Sequence, residues 1–376
     1  MTWKDKLKDS VHDVEALREF IPMTDAEAKA YEGIAARFPI ASTTYYLSLI
    51  DAKDPNDPIR KMSVPTIEEF DMGGDFDTSG EGQNTIMRGL QHKYSTTALL
   101  LSTNRCAMYC RHCFRKRLVG TKTNETLNFV DEAVSYIASH QEINNVLITG
   151  GDAFLLDNAL IEAYLKALTE IDHIDFIRFG TRTPVVFPER IYSDDVLLGL
   201  LKGYSEKKRI YVVTQFNHPN ELTDEAMKSI EALRKCGIIV NNQTVLLKGV
   251  NDDPNVMAAL QNGLVEKGIV PYYIFQCRPV KGVKNQFQVP LKRAVKVVED
   301  AKKLMSGHSK RVKFCMSHET GKIEILGSFE GRMLFKYHQA KNPENFGRIF
   351  SVDLRKNQAW LTKEDVMRKR VCEPSA

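Results

Sequence analysis

Residues 102–120 read STNRCAMYCRHCFRKRLVG, and the rest of the chain is organised around this stretch. Three of the seven cysteines, Cys106, Cys110 and Cys113, fall within eight residues at C-x3-C-x2-C spacing. Thiolates gathered so closely can hold three irons of a [4Fe–4S] cluster and leave the fourth iron open to a chelating small molecule. Two plainer readings compete. A structural zinc site wants four ligands, usually as two separated pairs, and the nearby His112 adjoins Cys113, where closing a tetrahedron on one ion is awkward. Free thiols also pack like small hydrophobes, but three in eight residues followed by Arg115-Lys116-Arg117 do not look like core packing.

Composition bounds the remaining possibilities. A chain of 376 residues suffices for one large domain or two ordinary ones. Hydrophobic content of 43% and charged content of 27% are those of a globular protein. A net charge of +4 is small for this length and argues neither for a nucleic-acid binder nor for a membrane-surface protein, and neither partner is expected. No apolar run approaches the ~18–20 residues of a membrane span. The opening MTWKDKLKDSVHDVEALREF is amphipathic and charged, unlike a secretory signal. An odd cysteine count with three clustered does not suggest a disulfide framework, and a reducing cytoplasm fits.

Residues 1–90 read as a helical extension. Leu7, Val11, Val14 and Leu17 predict a helix across Trp3–Phe20, and Thr24-Asp-Ala-Glu-Ala opens a second. Asp71–Gln83, rich in Gly, Asp and Ser, reads as a flexible connection without obvious chemistry. From Thr96 onward, short apolar runs alternate with helical segments, the signature of βα units around a parallel sheet. Six strands are expected: Ala98–Ser102, Val146–Thr149, Ile177–Thr181, Ile210–Gln215, Val240–Leu247 and Pro271–Gln276. Helices are expected between them, including Asn128–Gln141, Leu160–Ile171 and Asp224–Lys235. The fold class is therefore α/β, a partial (β/α)6 barrel of TIM type. Polar or glycine-bearing signals follow almost every strand, where active sites of such barrels lie. Further on come a basic helical region to Met305, strands at Val312–Met316 and Ile323–Leu326, a turn around Thr320-Gly321-Lys322 and a short helix at Leu361–Arg368.

The C-x3-C-x2-C spacing, with an aromatic before the middle cysteine, resembles the radical S-adenosylmethionine (SAM) superfamily. The joint set of motifs is similar to the lysine 2,3-aminomutase family: YYLSLIDAKDPNDPIRK (45–61), CAMYCRHCFRKR (106–117), ITGGDAF (148–154), FGTRTPVVFPERI (179–191), TQFNHPNELT (214–223), NNQTVLLKGVND (241–252) and PYYIFQC (271–277). The resemblance implies a radical SAM core with a PLP-binding region over 91–330 and a C-terminal tail over 331–376. It implies three cofactors, a [4Fe–4S] cluster, SAM and pyridoxal 5′-phosphate (PLP), and movement of an amino group from Cα to Cβ of a free amino acid. A reductant such as flavodoxin or ferredoxin and a homo-oligomer would accompany it.

Carried over by position, Cys106, Cys110 and Cys113 ligate the cluster. Gly150-Gly151-Asp152 receives SAM, with free backbone NH groups and Asp152 accepting, and His112 and Gln243 match positions that face SAM. Lys322 is the candidate for covalent attachment of PLP, although the family's run of glycines is here Ser317-His318-Glu319-Thr320-Gly321. Lys93 and Tyr94 match the segment at the PLP phosphate, with lysine in place of the usual arginine, and Arg115 matches the arginine at the substrate carboxylate. A family arginine nine residues before the first cysteine is here Thr97.

The substrate's far end is the point of divergence. The family's two aspartates for a lysine ammonium correspond here to Arg278 and Cys315. Guanidinium in place of carboxylate reverses the pocket's sign and disfavours a cationic side chain. The expectation is an aminomutase for glutamate or another non-cationic amino acid, with Arg278 at the side chain. Alternatives are lysine 2,3-aminomutase proper, with Glu319 turned inward as a replacement carboxylate, a protein-lysine isomerase, or a non-mutase iron–sulfur or PLP protein. The zinc site of some relatives is not expected, since only Cys372 lies beyond residue 320.

Overall fold

The computed structural model describes residues 2–127 and 129–367. Asn128, Arg368 and Cys372, each named in the expectations above, lie outside the described residues.

Twelve strands form one sheet in which spatial order follows chain order. They are β1 (Thr85–Met87), β2 (Leu90–Tyr94), β3 (Thr97–Thr103), β4 (Asn145–Gly150), β5 (Phe176–Gly180), β6 (Arg209–Thr214), β7 (Ile239–Leu246), β8 (Val270–Gln276), β9 (Lys313–His318), β10 (Gly321–Phe329), β11 (Arg332–Ala340) and β12 (Ile349–Val352). Strands β3 to β9 run parallel. Helices such as Val130–Ser139, Asn158–Thr169, Asp195–Ser205, Asp224–Lys235, Pro254–Glu266 and Leu291–Leu304 lie between them in sequence. This is the expected partial barrel, extended by a seventh parallel strand, β9, because Leu291–Leu304 makes a further crossover.

Alternation along each strand decides what faces the interior. On β7, Val240, Asn242, Thr244 and Leu246 are buried, while the half-buried Gln243 and Val245 line the central cavity. The crossover helices bury one stripe each: Leu291, Ala294, Val297, Val298 and Ala301 recur at helical spacing on Leu291–Leu304.

Several boundaries differ from the sequence reading. The helix expected across Trp3–Phe20 is two short ones, Trp3–Lys8 and Val14–Leu17, because Val11 between them bridges to Ser42. The extension is not helical throughout: β1 and β2 close it, so Lys93 and Tyr94 stand on a strand beside β3. The segment from 331, read as a tail, adds β11 and β12 to the sheet. The β10–β11 hairpin turns at Glu330-Gly331, both at positive φ, as a two-residue turn of matching twist requires.

The extension is built into the barrel. Tyr46, Ile59 and Met62 belong to the main apolar core. Glu69, wholly buried, accepts from Arg111 Nε and Nη2 at 2.8 and 2.6 Å and from Lys116 Nζ at 2.5 Å. Burial alone would raise its pKa, but the two cations hold the carboxyl below its usual range. Removing one partner of a buried ion pair strands the others uncompensated and typically costs about 3–5 kcal/mol. Glu69→Ala is therefore expected to destabilise the chain by that order in equilibrium urea unfolding; a loss within about 0.5 kcal/mol, typical of a surface site, would contradict it.

Candidate active site

The cysteine loop follows β3 and lies beside the turn after β4, since these strands are neighbours. That turn is Gly150-Gly151-Asp152. Gly150 has φ +128°, and a Cβ there would meet Thr103 O at 2.3 Å; one on Gly151 would meet Arg105 O at 2.3 Å. The expected free backbone donors are not free. Gly151 N donates to Thr103 O (2.6 Å) and Asp152 N to Arg105 O (2.8 Å), so the turn staples the start of the cysteine loop. Asp152 is likewise committed, accepting from Phe154 N, Thr181 Oγ1, Arg182 N and Thr183 Oγ1 at 2.5–3.0 Å. Three of these bonds fall on Oδ1 and one on Oδ2, so the carboxylate is held from the β4 turn and from the loop after β5 together. Burial pushes its pKa up.

A cavity of about 390 Å³ brings together all the residues expected at the site: Lys93, Tyr94, Cys106, Cys110, His112, Cys113, Arg115, Gly150, Gly151, Asp152, Gln243, Arg278 and Lys322 line it. The three cysteines are free and half-buried. Among the described residues, no three His, Cys, Asp or Glu side chains converge closely enough to hold a single metal ion. Burial raises the pKa of Cys106 and pushes Cys113 up to about 11. His112 Nε2 meets Asn217 Nδ2 at 3.3 Å, and its buried Nδ1 has no partner.

At the other end, the Lys322 Nζ lies 4.2 Å from the Tyr273 ring centroid and 5.9 Å from that of Phe275. Burial lowers its pKa to about 8, so much of it is neutral amine near that pH. Lys322 lies within β10, one residue past Gly321, where a Cβ would meet Gln339 O at 2.3 Å. The turn before it is thus held by one glycine against β11. Lys93 donates to Ser79 O (3.2 Å) and His318 O (2.6 Å), and burial lowers its pKa to about 7. Tyr94 is also held above its usual pKa by burial.

Arg115 is already engaged. Its Nε and Nη2 approach Glu81 Oε1 at 3.0 and 2.9 Å, and Nη1 approaches Thr149 Oγ1 and Gly150 O at 3.5 and 3.3 Å. Burial would raise the Glu81 pKa, but Arg115 and Arg117 overcome it and hold the carboxyl at about 2. Arg278 differs. It lies over the Phe114 ring at 4.0 Å, and its buried Nη1 has no partner. Burial brings its pKa down to about 10. Glu319 does not turn inward: it pairs with Lys363 at 2.8 Å and lines a separate polar cleft.

Several of these residues escaped the sequence reading. Glu81 and Ser79 lie in the stretch read as a linker. Arg182, which lies in the run 179–191 and carries no assigned role there, donates to Cys110 Sγ at 2.9 Å. Arg178 on β5 lines the cavity with its buried Nε unpartnered. Inward alternation on β5 was the one available signal for Arg178.

A barrel that brings three half-buried thiols, a glycine turn and a lysine of lowered pKa to one cavity has the parts of a radical enzyme. Residues 100–260 match the model of the Radical SAM superfamily. The chain is 43% identical over 339 residues to a protein of Aquifex aeolicus named "Putative L-lysine 2,3-aminomutase", covering 90% of each. It is 38% identical to the L-lysine 2,3-aminomutase of Clostridium subterminale over 81% of this chain and 73% of that one. It is also 38% identical to the glutamate 2,3-aminomutase of Clostridioides difficile, over 81% and 71%. The chain belongs to the 2,3-aminomutase family of radical SAM enzymes. It is accordingly an isomerase that works with a [4Fe–4S] cluster, SAM and PLP. The donor set fits these groups: soft thiols for iron, and unpartnered guanidinium atoms with two lysines for anionic ligands. No helix among the described residues is long and apolar enough to cross a membrane.

Gly151→Ala is expected to destabilise by about 1–3 kcal/mol, since the overpacking falls on backbone rather than on a movable side chain. A urea midpoint indistinguishable from the parent's would refute the stapling role.

Proposed function

We propose that this chain is a 2,3-aminomutase for a free amino acid with a non-cationic side chain, and that an acidic one such as glutamate fits best. The observation carrying this is the unpartnered Nη1 of Arg278 in the cavity, where lysine-specific relatives would need a carboxylate. Glu81 and Asp152 are the carboxylates lining the cavity, and both are already engaged by internal partners, Glu81 by Arg115 and Arg117 and Asp152 by four donors. With Glu319 turned away, nothing on these walls suits a distal ammonium, whose burial without a counter-charge is costly.

Cys106, Cys110 and Cys113 hold the cluster, and His112, Gly150, Gly151, Asp152 and Gln243 border SAM. In this arrangement Asp152 acts by fixing the turn and the loop after β5. Lys322 holds PLP covalently; its lowered pKa supplies a neutral nitrogen near pH 8. Lys93 and Tyr94 lie at the phosphate. Four of the five N–H groups of Arg115 are engaged, so it offers one to the substrate's α-carboxylate, while Arg278 takes the side-chain carboxylate. Cluster and SAM supply the radical that removes and returns a Cβ hydrogen, and PLP supplies the delocalisation that lets nitrogen migrate. Nitrogen moves from Cα to Cβ as hydrogen moves the other way, with no net oxidation. A low-potential reductant such as flavodoxin or ferredoxin, a cytoplasmic setting and a homo-oligomer complete this reading.

The reconstituted enzyme, incubated anaerobically with a panel of amino acids, should convert glutamate faster than lysine. Turnover of lysine matching or exceeding glutamate would overturn the assignment. Loss of one charged partner typically costs about 2–5 kcal/mol, so Arg278→Met should lower kcat/KM for an acidic substrate at least about thirtyfold.

Lys322→Ala should abolish the absorbance of covalently held PLP. In the parent that absorbance should develop around pH 8, well below the usual lysine range. If it survives the substitution, the attachment lies elsewhere.

A further inference from the structure

Arg182, in the loop after β5, belongs to none of the roles above, yet its side chain is pinned in a single direction. Nε donates to Gln215 O at 3.0 Å, and Nη2 donates to the Tyr46 hydroxyl at 3.1 Å and to the Glu221 carboxylate. Tyr46 in turn donates to Glu221 Oε1 at 2.6 Å, and Glu221 Oε2 accepts from Asn217 N and His218 N at 2.5 and 3.0 Å. Glu221 is wholly buried and Arg182 nearly so. What this network leaves over is Nη1, aimed at Cys110 Sγ at 2.9 Å.

An arginine serving only to neutralise Glu221 would not need a third anchor, nor a donor fixed on a sulfur. We propose that Arg182 is a positioning residue that sets the reduction potential of the cluster through Cys110. This rests on the reading that Cys110 is a cluster ligand. Hydrogen bonds to cluster sulfurs and nearby charge are among the main determinants of such potentials. The reduced cluster carries one more negative charge than the oxidised one, so a fixed guanidinium stabilises it more and raises the potential. One electron passes from the external reductant to the cluster in this step, and no bond forms or breaks. Glu221 tempers the effect by partly neutralising the guanidinium while holding it in place.

The test is potentiometric titration of the reconstituted protein followed by electron paramagnetic resonance. At a fixed potential near the parent midpoint, Arg182→Gln should lower the ratio of reduced to oxidised cluster by about tenfold, a fall of about 59 mV for a one-electron couple. Arg182→Lys, which keeps the charge, should fall less, and Glu221→Gln should shift the opposite way. An unchanged midpoint in a fully loaded Arg182→Gln protein would overturn the proposal. Should neither variant load iron, the parent labelled with 15N-arginine decides by pulsed resonance: nitrogen coupling to the reduced cluster supports it, and its absence overturns it. Cys110→Ala separates the two levels, because full iron content there would refute the ligand assignment rather than the tuning.

Discussion

Four cations in seven residues, Arg111, Arg115, Lys116 and Arg117, surround Cys113 on a loop with no regular secondary structure. Left unanswered, they would draw the loop to solvent and disperse the thiols. Two buried glutamates from the extension prevent this: Glu69 takes Arg111 and Lys116, and Glu81 takes Arg115 and Arg117. Buried ion pairs of this kind seldom add net stability over apolar packing, because desolvation offsets the Coulomb gain. What they contribute is position. Carbonyls of the extension reinforce the same seating, with Tyr109 N donating to Ala41 O and Arg111 N to Met62 O, each at 2.9 Å.

The sheet order converts that seating into a site. Because β4 is the next strand to β3, the Gly150-Gly151 turn lies against the carbonyls that open the cysteine loop, and only residues without Cβ permit so close an approach. The extension thus holds one side of the loop and the β4 turn holds the other. Neither contact is catalytic, yet the mutual placement of the three thiols depends on both.

The six strands foreseen in the sequence fall within one or two residues of those observed, since each is an apolar run bounded by polar punctuation. Asp224–Lys235 is likewise found where its periodicity placed it. Strands β1, β2, β11 and β12 were less legible, because sequences such as Leu90–Tyr94 and Arg332–Ala340 mix polar and aromatic residues on a half-buried surface. Cavity residues supplied by local motifs were readable from spacing and resemblance. Glu69, Glu81 and Glu221 were not, because their partners lie tens of residues away and no local period marks a long-range ion pair. Glu319 shows the converse: a carboxylate close to Lys322 in sequence faces another cleft in space.

Arg278 is where the energetics of burial bear most directly on the proposed substrate. Burying a donor without a partner costs about 1–3 kcal/mol, more when the group is charged. Packing over Phe114 and the charge of Glu81 offset part of that cost, but neither satisfies Nη1. An apolar residue at the end of β8 would fill the same volume without the penalty. A guanidinium held there is therefore a standing cost to the free protein, and it is relieved when an anionic group enters the cavity. A lysine ammonium arriving at the same point would add like-charge repulsion to its own desolvation. On the proposed assignment, a guanidinium at this point discriminates twice, by attraction to an acidic side chain and by exclusion of a basic one.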